Sequence, residues 1–249
     1  MSLVMALVAR DSLVVVADRR QTMMHPAGTS TQWDGATKLA ILPFASGRRQ
    51  VLVGTTGAAG YAAVILSELA ATVDQPMTGR GMAQLAPAQS AADVAMRVHH
   101  LAAQLYDQAF PGVPAPGTSQ GPSRPPLGFV VAGWEPDAGG AVHPALWLLD
   151  GGSTFFPNLV ETRWTALGLF DYAAKLLSRL HQPGSAEGAL ALASFVLEEV
   201  SAQDGRVGGG ALAAVLPAAG GGRWCTEQEL RAASERAGQA RAQLRGQFA

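Results

Sequence analysis

Short apolar runs separated by polar breaks dominate the first part of the chain. A continuous apolar run covers Leu3–Val8, polar residues interrupt it at 10–12, and a second run rich in valine covers 13–17. Two such runs around a polar break predict a β-hairpin whose strands are buried on both faces. Residues 21–37 lack any period and contain proline and glycine, so we expect a loop there. Two more strands are predicted at 38–42 and 50–54.

From residue 58 the apolar residues adopt helical spacing. Tyr61, Val64, Ile65 and Leu69 form one predicted stripe, and Ser90 is placed to cap a second helix that runs to about residue 110. Residues 111–127 are rich in proline, glycine and serine and predict a surface loop. Further strands are predicted at 129–133, 145–150, 155–159, 164–167, 211–216 and 223–225, and further helices at 171–180, 185–203 and 226–249.

The order of these elements indicates the fold class. Strands and helices come in blocks instead of alternating, which argues against a doubly wound parallel sheet. Two antiparallel sheets packed face to face, with helices on both outer faces, satisfy the order. The sequence therefore predicts an α+β fold, a four-layer αββα sandwich, as a single domain over residues 1–249.

Composition narrows the classes of function. Charged residues make up 15% of the chain and its net charge is −1, which argues against nucleic acid or a polybasic membrane surface as partner. The single cysteine, Cys225, excludes an intrachain disulfide and a multi-cysteine metal site. The histidines are scattered, so we predict no metal and no cofactor. The first apolar run has no basic segment before it, and no run approaches the ~20 apolar residues of a spanning helix, so a cytoplasmic protein is expected.

Candidate chemistry begins at the second residue. Removal of Met1 would leave Ser2 as the N-terminus, and sixteen positions later Asp18 precedes two arginines at the end of the second predicted strand. An N-terminal serine carries its own general base, because its α-amino group has a pKa of about 7.7–8.0 and lies beside the hydroxyl. Taken alone, Ser2 is far better explained as the common small second residue of a chain.

Several segments in the same order resemble the proteasome β-type subunits of the N-terminal-nucleophile (Ntn) hydrolase superfamily. They are Ser2 to Arg20 with its serine-to-acid spacing, Thr37-Lys38-Leu39, the small-residue segment Gly54 to Ala59, Ala166-Leu167-Gly168, and Asp204 to Gly210. The resemblance covers most of the chain and implies the αββα Ntn-hydrolase fold. It also implies the threonine-type endopeptidase class, here with serine as the nucleophile.

The resemblance implies a role for each of five residues. Ser2 would attack the peptide carbonyl, Asp18 would hold Lys38 charged, and Lys38 would lower the pKa of the Ser2 amine. The backbone N–H of Thr56 would form the oxyanion hole, and Asp204 would be the acid ahead of a late strand. No propeptide is expected, so activation would depend on removal of Met1.

Two positions depart from the family pattern. Leu169 and Val207 stand where the family has serines that help to order the amine and its water. Aliphatic residues there would leave the Ser2 amine with fewer hydrogen-bond acceptors, in a drier pocket.

Three functions therefore remain open. The first is a peptidase that assembles into a homo-oligomeric ring and cleaves peptides or unfolded proteins. The second is a catalytically inactive structural or assembly subunit, and the third is a small-molecule amidase of the same fold. For the first, the resemblance also implies an ATP-dependent unfoldase as partner.

Overall fold

The computed structural model describes residues 2–24, 30–77, 84–115 and 123–246. The strands in these ranges are β1 (Leu3–Val8), β2 (Ser12–Asp18), β3 (Arg20–Met24), β4 (Ser30–Asp34), β5 (Leu39–Phe44), β6 (Arg49–Gly57), β7 (Leu127–Pro136), β8 (Val142–Asp150), β9 (Asn158–Leu159), β10 (Trp164–Gly168), β11 (Ala211–Pro217) and β12 (Arg223–Trp224). The helices are α1 (Ala59–Thr72), α2 (Ala91–Ala109), α3 (Phe170–Leu180), α4 (Ala186–Gln203) and α5 (Glu227–Gly246).

Two five-stranded antiparallel sheets form the centre of the molecule. One has the order β10-β1-β2-β11-β12 and the other the order β5-β6-β7-β8-β9. Helices α1 and α2 share an apolar cluster with the second sheet, and α3, α4 and α5 share one with the first. A third apolar cluster contains residues of both sheets and joins them face to face. The predicted α+β class and the αββα sandwich are confirmed.

Strand β1 shows how the apolar runs build these layers. Leu3, Met5 and Leu7 pack with the helices of the first sheet, whereas Val4 and Ala6 belong to the cluster between the sheets. Because successive side chains of a strand point to opposite faces, a strand covered on both faces must be apolar throughout. The predicted hairpin of β1 and β2, with both strands fully buried, is confirmed.

Two predicted helix starts are also confirmed. The Ser90 side chain accepts a hydrogen bond from Asp93 N, and the Asp93 side chain accepts one from Ser90 N, which completes a capping box for α2. Thr226 and Glu229 form the same reciprocal pair of bonds ahead of α5.

The predicted loop at 21–37 is wrong. Strands β3 and β4 form a two-stranded antiparallel sheet there, in a register that pairs Arg20 with Asp34. All five residues of β4 are exposed, so this strand has no buried face and its sequence carries no apolar alternation. Residues 25–29 of this segment lie outside the described residues.

Smaller differences concern the ends of elements. Leu127, predicted as the end of the proline-rich loop, begins β7, and residues 116–122 of that loop lie outside the described range. The predicted strand at 155–159 contracts to β9, because Thr154 and Phe155 adopt positive φ values that end a turn. The last three residues of the predicted helix 226–249 are likewise outside the description. None of the described helices is long and apolar enough to cross a bilayer.

Candidate active site

Antiparallel pairing brings Ser2 and Asp18 together. Ser2 directly precedes β1, Asp18 is the last residue of β2, and the register pairs Val4 with Ala17. The start of β1 therefore lies beside the end of β2, and Leu3 N donates a hydrogen bond of 2.8 Å to Asp18 Oδ1. The spacing of sixteen residues thus brings Ser2 and Asp18 to the same end of the hairpin.

Lys38 reaches the same place from the other sheet. It directly precedes β5, and its Nζ lies 2.7 Å from Asp18 Oδ1. Lys38 is 5% exposed and Asp18 is 0% exposed, so this is a buried ion pair. Nζ also donates a hydrogen bond to the backbone carbonyl of Arg20. A buried pair of this kind needs such additional hydrogen bonds to offset the loss of hydration of both charges.

The second carboxylate oxygen of Asp18 is held by backbone. Arg20 N donates to Oδ2 at 3.2 Å and Gly208 N at 3.3 Å. The carboxylate thus accepts backbone hydrogen bonds from β1, from β3 and from the glycine turn at 208–210. Three separate segments of the chain fix its orientation toward Lys38.

Burial lowers the pKa of Lys38 from its ordinary value of 10.5, and the neighbouring Asp18 carboxylate opposes that effect through its charge and its hydrogen bond. A lysine held in this way is a positive charge close to the start of β1. Such a charge stabilises an anion and lowers the pKa of a neighbouring amine.

Gly168 fixes the backbone of Ser2. Leu169 N donates a hydrogen bond of 3.1 Å to Ser2 O, and Gly168 has a φ of +100°. A Cβ at Gly168 would lie 1.9 Å from Ser2 O, so only glycine permits this close approach. The segment Ala166-Leu167-Gly168 thereby aligns the first residue of the hairpin.

Ser2 and Lys38 line one pocket of about 200 Å³. Thr56, the predicted oxyanion-hole residue, lines it too and is 8% exposed. Its segment 54–59 is strand for most of its length, because β6 continues to Gly57 before α1 begins. The pocket therefore contains three of the five predicted site residues, with Asp18 behind Lys38.

Asp204 is placed differently. Its carboxylate accepts hydrogen bonds from Arg206 Nε at 2.9 Å and from Arg206 N at 2.9 Å, and it forms no hydrogen bond with Ser2, Asp18 or Lys38. The hydrogen bond from the Arg206 side chain lowers the pKa of Asp204 to about 2. It is not among the residues that line the pocket with Ser2.

The two departures from the family pattern lie against apolar surroundings. Val207 is fully buried in the cluster that contains Leu3, and Leu169 packs against the same cluster. A hydroxyl does approach from α4, where Ser201 Oγ donates to Val207 O at 3.0 Å.

Sequence reasoning missed the rest of the pocket. Gln21 from β3 and Ala62, Ala63 and Leu66 from α1 line it as well. Alanines carry no signal for a binding site, and Gln21 fell in the segment expected to be a loop. Within the described ranges no group of three His, Cys, Asp or Glu residues is arranged to hold a metal ion.

The fold of the chain matches a set of solved structures. The chain has the fold of the Anbu proteins. A structure titled as a helical assembly of the Anbu complex from Pseudomonas aeruginosa aligns with a TM-score of 0.71 and 21% identity over 99% of this chain and 95% of that one. Anbu from Yersinia bercovieri, described as an ancestral beta-subunit, aligns with a TM-score of 0.69 and 13% identity over 98% and 97%. A Gly-1 mutant of Anbu from Hyphomicrobium sp. strain MC1 aligns with a TM-score of 0.68 and 14% identity over 99% and 97%.

These matches correct one expectation from the sequence. Anbu proteins are proteasome-like but form a family distinct from the standard proteasome β-type subunits, so the identification as a β-type subunit is wrong. No protein-family model and no curated protein matches the sequence. At these identities the Anbu structures establish the proteasome-like fold of the chain.

Proposed function

We propose that this chain is an Ntn-type peptidase that uses Ser2 as nucleophile once Met1 has been removed. The observation that carries the proposal is the buried Asp18–Lys38 pair, whose lysine lines the same pocket as Ser2. A charged pair this deeply buried costs hydration energy that an apolar pair would not. Its position beside a pocket that contains a serine supports a chemical role for it.

Each step of the proposed reaction uses a group of the pocket. Ser2 Oγ attacks the peptide carbonyl carbon while the α-amine of Ser2 accepts the hydroxyl proton. The Thr56 N–H stabilises the oxyanion, a contribution of about 3–4 kcal/mol for one such donor. The amine then protonates the leaving nitrogen, which releases one product and leaves an ester on Ser2. Water hydrolyses this ester by the same route and restores the free hydroxyl.

Lys38 sets the expected dependence on pH. The α-amine must be neutral to accept a proton, so kcat/KM rises as pH passes the pKa of the amine, which the Lys38 charge holds below about 7.7–8.0. Loss of the proton from Lys38 removes this charge at high pH. Since burial lowers the pKa of Lys38, the alkaline fall begins below the ordinary pKa of lysine.

The second candidate is a catalytically inactive assembly subunit. The aliphatic pair Leu169 and Val207 favours it, because neither residue offers a hydroxyl to order the amine or its water. The amidase alternative has no such observation in its favour.

Two measurements separate these functions. The intact mass of the purified protein reports whether Met1 is absent, and a retained Met1 contradicts the peptidase. If it is absent, wild type and Ser2→Ala are compared on fluorogenic peptides, with Ser12→Ala as the control. We expect Ser2→Ala to lose at least about a hundredfold in kcat/KM and Ser12→Ala to retain activity. Equal hydrolysis by wild type and Ser2→Ala excludes Ser2 as nucleophile.

Assembly into an oligomer is part of the proposal. The Anbu complex of Pseudomonas aeruginosa is described as a helical assembly, whereas the sequence resemblance implied a closed ring. Electron microscopy of the purified protein distinguishes a ring from a helix, and a monomer at micromolar concentration contradicts both. The cytoplasmic location and the ATP-dependent unfoldase stay predictions.

A further inference from the structure

A second pocket, which we name the α4–α5 pocket, lies where those two helices meet the glycine turn at 208–210. Its volume is about 540 Å³, and it shares no lining residue with the pocket of Ser2. Helix α4 lines it with Ser194, Leu197 and Ser201, and α5 lines it with Leu230 and Arg231. The proposed reaction uses none of these five side chains.

Two polar groups of the α4–α5 pocket lack a protein partner. Ser194 is 4% exposed, and its hydroxyl forms no hydrogen bond within the described part of the chain. Because the side chain is otherwise buried and lines the pocket, its hydroxyl is available to a group that enters the pocket from outside. Arg231 lines the mouth of the same pocket, where it is exposed, and forms no ion pair with any described residue. The neighbouring Glu198 differs, because Arg241 and Ser234 both bind its carboxylate.

The lining indicates the class of ligand. We propose that the α4–α5 pocket binds a small monocarboxylate with an apolar body. Arg231 pairs with the carboxylate, Leu197 and Leu230 contact the apolar part, and Ser194 hydrogen-bonds a polar atom at the buried end. Arg231 is the one cation among the described lining residues, so the pocket can balance a single negative charge, which favours a monocarboxylate over phosphates and other dianions.

The glycine turn connects this pocket to Asp18. Gly208 lines the pocket, its N–H donates to Asp18 Oδ2, and its carbonyl accepts from Arg20 N at 2.8 Å. A Cβ at Gly208 would lie 3.1 Å from the Arg20 guanidinium and 3.2 Å from Ser201 Oγ, so the turn has little room to move without its neighbours. A ligand that displaces the turn therefore also changes the position of the Asp18 carboxylate.

Binding is tested on the full-length protein by isothermal titration calorimetry. The probe is N-acetyl-L-leucine, and its uncharged amide is the matched control ligand. We expect saturable binding of the acid, at least about tenfold weaker binding of the amide, and similar weakening of the acid by Arg231→Gln or Ser194→Ala. Arg179→Gln on α3 is the control variant and should bind like wild type. Absence of binding up to 10 mM, about the limit of specific small-ligand binding, overturns the proposal, as does binding that Arg231→Gln leaves unchanged.

Transmission to Asp18 is tested by hydrogen exchange, which needs no activity. We expect the acid, but not the amide, to change the exchange of peptides that cover residues 18–20 and 205–211. Binding without change at 18–20 overturns the connection to Asp18. A change of kcat by the acid would rest on the proposed function, so inactive protein that still binds the acid contradicts the peptidase and leaves the pocket supported.

Discussion

Removal of either member of the Asp18–Lys38 pair should destabilise the protein, and removal of both should cost clearly less than the sum of the two single losses. Lys38→Met leaves the Asp18 carboxylate, which is 0% exposed, without its counter-charge. Loss of one partner of a buried pair typically costs about 3–5 kcal/mol. Three backbone N–H groups still bind the carboxylate, so we expect a value near the lower end, about 3 kcal/mol. Asp18→Asn should cost a similar amount, because its amide N–H₂ must face one of those donors or Lys38 itself.

The double variant tests this reasoning. In Asp18→Asn/Lys38→Met no charge remains to be buried, so the loss should fall short of the sum of the single losses by at least about 2 kcal/mol. Urea unfolding at pH 7 measures all four proteins, with equal m-values required for the comparison. Losses that add to within about 0.5 kcal/mol would refute a coupled buried pair. Arg223 and Glu229 form a matched exposed pair, 53% and 35% exposed, whose coupling should be only about 0–1 kcal/mol.

Four further predictions concern single positions. Gly168→Ala should lose more than about 2 kcal/mol of stability in thermal unfolding, since its Cβ would meet Ser2 O at a positive φ, whereas Gly60→Ala, with nothing within 4 Å, should be neutral or stabilising. The folded-state pKa of Asp204 is below its ordinary value of 3.8, so its contribution to stability is present above pH 4 and disappears as pH falls to about 2. The stabilities of wild type and Asp204→Asn, measured by unfolding at decreasing pH, should therefore converge near pH 2. A difference in stability that stays constant with pH would contradict this prediction. Asp34→Asn breaks a half-exposed ion pair with Arg20, so the unfolding temperature should hardly change. The kcat should nevertheless fall several-fold, because the backbone carbonyl of Arg20 accepts a hydrogen bond from Lys38 and helps to position it. An unchanged kcat would exclude this positioning role for Asp34. Ala63→Phe narrows the pocket of Ser2. It should raise the KM of peptides with a large apolar residue before the scissile bond much more than the KM of peptides with alanine at that position. Equal increases in KM would show that the substrate residue before the scissile bond does not occupy this pocket.

The parts of the fold that could be predicted from sequence are those buried on a definite face. The continuous apolar runs of β1 and β2 predict strands covered on both sides, and the serine-to-acid spacing follows from their pairing. Lys38 could be identified only through the family resemblance. A lysine before a strand carries no sequence signal that its side chain will pair with an aspartate of the other sheet.

The remaining parts lack such a signal. Val64 was predicted on the buried stripe of α1 but is 48% exposed, because nearly every residue around it is apolar and the stripe has no unique orientation. The β3–β4 hairpin has an exposed strand and therefore no alternation to detect. The α4–α5 pocket is formed by side chains from two helices and a turn that are distant in sequence. No local sequence pattern predicts which of these side chains remain without a partner.

The hydrogen bonds to Asp18 have a consequence for the order of events during synthesis. Its carboxylate is bound by residues 3 and 20 and also by Gly208, which lies 190 positions further along the chain. The first hairpin and Lys38 leave the ribosome long before that glycine does. A nascent chain therefore contains Ser2 and Lys38 before the last backbone donor to the Asp18 carboxylate has been made. The complete set of hydrogen bonds to Asp18 therefore cannot form until Gly208 has been synthesised.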